Sequence, residues 1–213
     1  MKTILKRDAP ECLTYYQENN DWSEIATQCK DEIARVCFEE QNGFCVYCER
    51  ELVYPNWQAL AHCEHLVPRS TGTRVFDHTN ITLSCNGTPP EDSNEYEAYG
   101  GCRVISCGHG RDSKAWRQDL FLHAVDVENI GQYFSWNLQK HKIKTADTND
   151  DRANNMIELL ELNNPYLRGA RNKARGAFRK TMSNTGCSAE ILEQLAQGKF
   201  AFSSYLGAAY LGN

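Results

Sequence analysis

Apolar residues recur every four positions at Ile25, Cys29, Ile33 and Cys37, with Ala26, Val36 and Phe38 widening the stripe. That period predicts an amphipathic helix over Trp22–Glu40. Asp21 with Glu24 has the form of a capping pair, and Asn42-Gly43 supplies a stop. Residues 58 to 67 read as a strand ended by Pro68, and Asn80–Ser84 as a second short apolar stretch. Between them lies a loop, Arg69 to His78, and residues 86 to 101 have the polar, Gly- and Pro-rich make-up of a surface insertion. A short helix is expected around Gly110 to Ser113. Asp119–Val125 and Ile130–Trp136 are apolar enough for the core, the latter forming a hairpin with Lys142–Thr145. Helices are predicted over Asp150–Leu162 with Met156, Ile157, Leu159 and Leu160 inward, from Asn164-Pro165 onward, and over Ala189–Gln197 behind a Ser188 cap. Phe202–Leu211 is an apolar terminal segment.

The pattern describes an α+β chain: a small two-strand-and-helix unit, residues 44–116, inside a mostly helical body made by residues 1–43 and 117–213. At 213 residues this is one compact body, without internal repeats or linkers. No apolar run reaches the roughly 18 residues of a membrane span. The first residues lack the apolar core of a signal peptide, so the cytoplasm is the default expectation. A formal charge of −5 argues against unspecific nucleic-acid binding, which depends on neutralising phosphates.

Ten cysteines change the picture. In a reducing compartment they are expected as metal ligands or small buried hydrophobes rather than disulfides. Cys12, Cys29, Cys37 and Cys187 stand alone and read as packing, as does Cys63. Cys45-Val-Tyr-Cys48 offers two thiolates to one tetrahedral ion. Cys85 and Cys107 complete a structural zinc cage, with Cys102 as the alternative fourth ligand. A redox pair is the other reading of the Cys-x-x-Cys, but no thioredoxin-like strand and helix follow it.

A second set is interleaved with the thiols: Glu64-His65 before Pro68, then Asn80, then His109 just after Cys107. Hydrolysis of a phosphodiester needs a base for the attacking water and a cation on the leaving oxygen. His65 suits the base, with a pKa expected near neutrality. Glu64 and His109 suit a Mg²⁺ or Mn²⁺ ion, and Asn80 suits a brace that orients His65 by a side-chain hydrogen bond.

Together these residues resemble the HNH (ββα-metal) endonuclease motif. Phe44-Cys-Val-Tyr-Cys-Glu49, His62-Cys-Glu-His-Leu-Val-Pro-Arg-Ser70 and Asn80-Ile-Thr-Leu-Ser-Cys85 resemble, in more detail, the HNH effectors of Septu anti-phage systems, the PtuB family. Ile157-Glu-Leu-Leu-Glu-Leu-Asn163, Leu167-Arg168 and Arg171 extend the likeness to about residues 22–211. The resemblance implies a nuclease assembled with a PtuA-like ATPase, sometimes alongside a retron reverse transcriptase and its noncoding RNA, acting on DNA or tRNA. Two departures stand out. A long insertion separates Cys85 from Cys107. The position after the last cysteine, where the family carries a metal ligand, is Gly108. His109 must serve instead, with Asp112 and His62 as fallbacks.

Residues 168 to 180 carry six positive charges and no acid, and Arg171, Arg175 and Arg179 align on one helix face. Phosphate contact is one reading; a solvated face or a dock for an acidic partner is the other. Two further functions fit the whole chain: a stand-alone restriction-type nuclease, and a non-catalytic zinc-stabilised module that binds nucleic acid or protein.

Overall fold

The structure is a computed structural model, and it describes residues 1–16, 21–52, 57–87, 105–111, 114–185 and 189–212. The expected insertion at 86 to 101, the alternative ligands Cys102 and Asp112, the lone Cys187 and the Ser188 cap lie wholly or mainly outside the described residues.

The first long helix, α1, spans Thr27–Glu40 and buries Cys29, Ile33, Ala34 and Cys37. It begins five residues later than its apolar period suggests. Asp21 and Glu24 do form the expected capping box, but it closes a single 3₁₀ turn, Trp22–Glu24. The turn ends because Ile25 is extended and buried, which pulls the chain inward before α1 can start. At the other end Asn42 and Gly43 take positive φ, and the Gly43 amide donates back to Phe38. This is the glycine stop anticipated from the sequence.

Strand β1 is Ala61–His65 and pairs antiparallel with β2, Ile81–Cys85, in a register that sets Glu64 opposite Thr82 and His65 opposite Ile81. Residues before Ala61 form a helical turn, Trp57–Leu60, rather than extending the strand back to residue 58. A short helix, Cys107–Arg111, lies beside β2: the Gly108 amide donates to Ser84 Oγ at 3.0 Å. The α1 helix covers β2 through Gln41, whose side chain bonds both the Leu83 amide and carbonyl.

Strands β3, Phe134–Asn137, and β4, Lys142–Thr145, make the expected hairpin. Asn163 pins it by bonding both backbone groups of Ile143. The helix Asp151–Leu159 is capped by Asp150 and buries Met156, Ile157 and Leu159. The next helix, Pro165–Thr185, starts where Pro165 predicts, with Asn164 accepting from the Leu167 amide. One apolar core joins α1, both small sheets and the Asp151–Leu159 helix. A smaller one, around Phe178, Leu195, Phe202 and Tyr205, holds the C-terminal helices, and Trp136 packs against both.

Cys12 and Cys29 form a disulfide, contrary to the expectation that both merely pack. The 3₁₀ helix Glu11–Tyr15 folds against the start of α1 and brings the two Cα atoms to 5.8 Å, inside the bonding range. Among the described residues no helix is long and apolar enough to cross a membrane.

Candidate metal centre and adjoining cavity

The Cys45–Cys48 knuckle is a tight turn in which the Cys45 amide donates to Arg50 and the Glu49 amide to Cys45. β2 delivers Cys85 at its end, and Cys107 opens the short helix with φ +57°. All four thiols are buried, and their sulfurs lie within 4.8 Å of one another. Four buried cysteines are therefore close enough to coordinate one metal ion. Metal–sulfur bonds of about 2.3 Å in a tetrahedron require sulfur–sulfur edges of about 3.8 Å. Cys48–Cys85 and Cys85–Cys107 are both 3.7 Å apart. Charge points the same way. Burial pushes the Cys45 thiol up, but hydrogen bonds from Cys107, Cys48 and Cys85 outweigh this and draw its pKa below the usual thiol value. Cys107 is pushed up by the same contacts. Four thiolates buried together would need a cation to offset their charge.

Two buried groups flank the cage. Glu49 accepts from the Ser204 amide and pairs with the Met1 ammonium at 2.8 Å. Burial would raise its pKa, yet the ammonium and Lys2 hold it down at about 2. Arg171 is the second. Its guanidinium donates to Leu162 O at 2.8 Å and His141 O at 3.2 Å, and lies over the Trp136 ring. Burial lowers its pKa to about 10, with Cys48 and Cys107 pulling it back upward.

The sequence reading of Arg171 as a phosphate contact is therefore corrected: only 1% of it is exposed. Arg175 is half-buried and donates to Leu138 O, so it too is turned inward. Arg179 is the one member of that row on the surface. The row exists, but its first two turns face the hairpin, whose carbonyls need donors.

A cavity of about 880 Å³ adjoins the cage, lined by His62, Glu64, His65 and His109 and rimmed by Lys30 and Arg69. All the predicted chemistry except Asn80 reaches it. β1 alternation divides the residues between two walls. On one face, Glu64 is tightly held: Tyr47 Oη donates to its Oε1 at 2.8 Å, and Arg111 Nη2 reaches the same oxygen at 2.6 Å. Its other oxygen, Oε2, lies 3.3 Å from His62 Nε2. The His62 and His109 rings stand 4.2 Å apart between centroids. Burial opposes charge on Glu64, but His62 and Arg111 together keep its pKa below the usual value. For His62 burial lowers the pKa, but Glu64, with Asn86 and Cys45, leaves it above the usual value.

His65 occupies the other face. Its Nε2 lies 2.9 Å from the Val75 carbonyl, and Trp22 meets the ring edge-on at 4.5 Å. A carbonyl only accepts, so the proton sits on Nε2 and Nδ1 carries the lone pair. The expected near-neutral pKa is corrected. Burial drives it down to about 4, outweighing the Val75 contact, and Arg69 adds to the fall.

The Asn80 side chain hydrogen-bonds other groups than His65, contrary to expectation. It bonds the Val67 amide and carbonyl and the Arg74 carbonyl. It thus closes the loop that presents the Val75 carbonyl, and orients His65 through the backbone.

Tyr47 and Arg111 are the residues sequence reasoning missed. Arg111 also donates to the His65 and Leu66 carbonyls, so one side chain fixes the end of β1. The only signal for Tyr47 was its place inside the Cys-x-x-Cys turn. Gly108 finds its reason here. A Cβ at that position would lie 2.5 Å from Glu64 Oε2 and 2.6 Å from His62 Nε2. No family model matches the chain, and no curated protein matches it.

Proposed function

We propose that the chain is a metal-dependent nuclease of the HNH type, hydrolysing nucleic-acid phosphodiesters. The observation that carries this reading is the single cavity shared by a neutral, carbonyl-tethered His65 and a fixed Glu64 carboxylate, with His109 across from it. His65 Nδ1 takes a proton from the attacking water, and its tether keeps the ring aimed while it does so. Glu64 and His109 would hold a divalent ion, which when bound would supply Lewis-acid stabilisation of the leaving oxygen. Lys30 and Arg69, at the rim, suit the phosphates that flank the scissile bond. The thiol cage, when filled by zinc, would fix the knuckle that carries Tyr47 and the turn that carries His109.

The likeness to Septu effectors supports the further proposal of an ATPase partner of the PtuA type, and of DNA or tRNA as target. In the presence of that partner and Mn²⁺, His65→Ala should lower cleavage by about 10² to 10⁴-fold, the span of general-base catalysis. Zinc content and near-ultraviolet circular dichroism should not change. Cleavage at the wild-type rate by a folded His65→Ala protein would refute the assignment.

A further inference from the structure

The position that directly follows the last cage cysteine is Gly108, and the room a side chain would need there is already filled. A Cβ would meet Glu64 Oε2 at 2.5 Å and His62 Nε2 at 2.6 Å. The carboxylate is not free to swing away, because Tyr47 and Arg111 both hold Oε1. Oε2 is left as the outward lone-pair donor, with His62 Nε2 at 3.3 Å. His62 shares its face of β1 with Glu64, since residues two apart on a strand point the same way. Asn86 Oδ1 lies 3.4 Å from Nδ1 of the same ring, the kind of outer contact that fixes a metal-binding imidazole. His109 completes the group from the helix, 4.2 Å away between ring centroids.

We infer that His62 is a third protein ligand of the cation, so that the site is two imidazoles and one carboxylate. This rests on the nuclease reading for the reaction but not for the ligand set. The three donors are not yet within 4.8 Å of one another, as the four thiols are. The proposal requires the half-buried His109 ring, 4.2 Å from His62 between centroids, to turn toward Glu64 Oε2 when the cation binds. The chemistry of the donors then selects the metal. Mg²⁺ takes oxygen ligands and keeps its waters, whereas imidazole suits transition metals. The site therefore favours Mn²⁺, Co²⁺ or Ni²⁺ over Mg²⁺.

The test uses the full chain carrying one zinc in the thiol cage. Mn²⁺ binding is followed by calorimetry, and the bound ion's nitrogen couplings by electron spin-echo spectroscopy. Two imidazole nitrogens should couple in the wild type and one in His62→Ala. Mn²⁺ should bind about tenfold or more tightly than Mg²⁺, and His62→Ala should erase most of that preference. One coupled nitrogen in the wild type overturns the assignment without any variant having to fold. So does unchanged Mn²⁺ affinity in His62→Ala. Two couplings without cleavage would uphold the ligand set and sink the nuclease reading; one coupling with cleavage would do the reverse.

Discussion

Replacing Arg171 by Met tests the clearest reversal between sequence and structure. The side chains have similar reach, so the change removes the guanidinium and leaves most of the stem. What is lost is two charged hydrogen bonds, to Leu162 O and His141 O, and the stack on Trp136. Charged hydrogen bonds contribute about 1.5–3 kcal/mol each, and carbonyls left unpaired inside add their desolvation cost. Against this, Met no longer carries the cost of burying a cation, which can exceed what the cation returns. The balance here is tilted by the cage. A divalent ion held by four thiolates would carry two net negative charges, and Cys48 and Cys107 already act on Arg171. Removing a compensating buried charge costs about 3–5 kcal/mol, and we expect Arg171→Met to fall in that range. Urea unfolding with zinc present should show the midpoint shifting down at nearly constant slope. Nucleic-acid affinity, measured where the variant is still folded, should keep its wild-type salt dependence, because Arg171 meets no phosphate. A loss of less than about 1 kcal/mol, within the range of ordinary surface changes, or a flattened salt slope, would refute the reasoning.

Two other outcomes follow from the link between cage and cavity. Tyr47→Phe keeps the ring and deletes only the hydroxyl that holds Glu64; it should weaken Mn²⁺ binding by about 10 to 100-fold, as outer-shell changes do, with little change in unfolding midpoint. Unaltered Mn²⁺ affinity in calorimetry would remove Tyr47 from the site. Stripping the cage with a strong chelator should release one zinc per chain, read with a colorimetric indicator. It should also abolish cooperative unfolding, since structural zinc contributes about 10–16 kcal/mol against a typical total stability of about 5–15 kcal/mol. A sharp thermal transition surviving full chelation would show that the thiols are only packing.

Much of the fold was legible because it is written locally. Ile33 and Cys37 are spaced for a helix, Asn42-Gly43 for its end, Pro165 for the start of another, and Cys45–Cys48 for two ligands on one ion. Each needs only neighbours within a turn or two. Boundaries were less legible where a distant surface competes, as at Trp22. That residue docks on His65 and Phe76, and α1 starts only at Thr27.

By itself the sequence determined three thiols of the cage and narrowed the fourth to Cys107 or Cys102, and it gave the order of the two-strand-and-helix unit and the candidacy of Glu64, His65 and His109. Tertiary structure alone decided which groups meet. It paired Cys12 with Cys29, turned Arg171 inward, set Tyr47 and Arg111 on one oxygen of Glu64, and put His62 beside the other. It also gave Asn80 a loop to hold in place of a histidine. The physical reason is that periodicity fixes which residues share a face, while the partner of that face is chosen by segments tens of residues away. Buried carbonyls, carboxylates and thiols must find donors or cations wherever the fold places them.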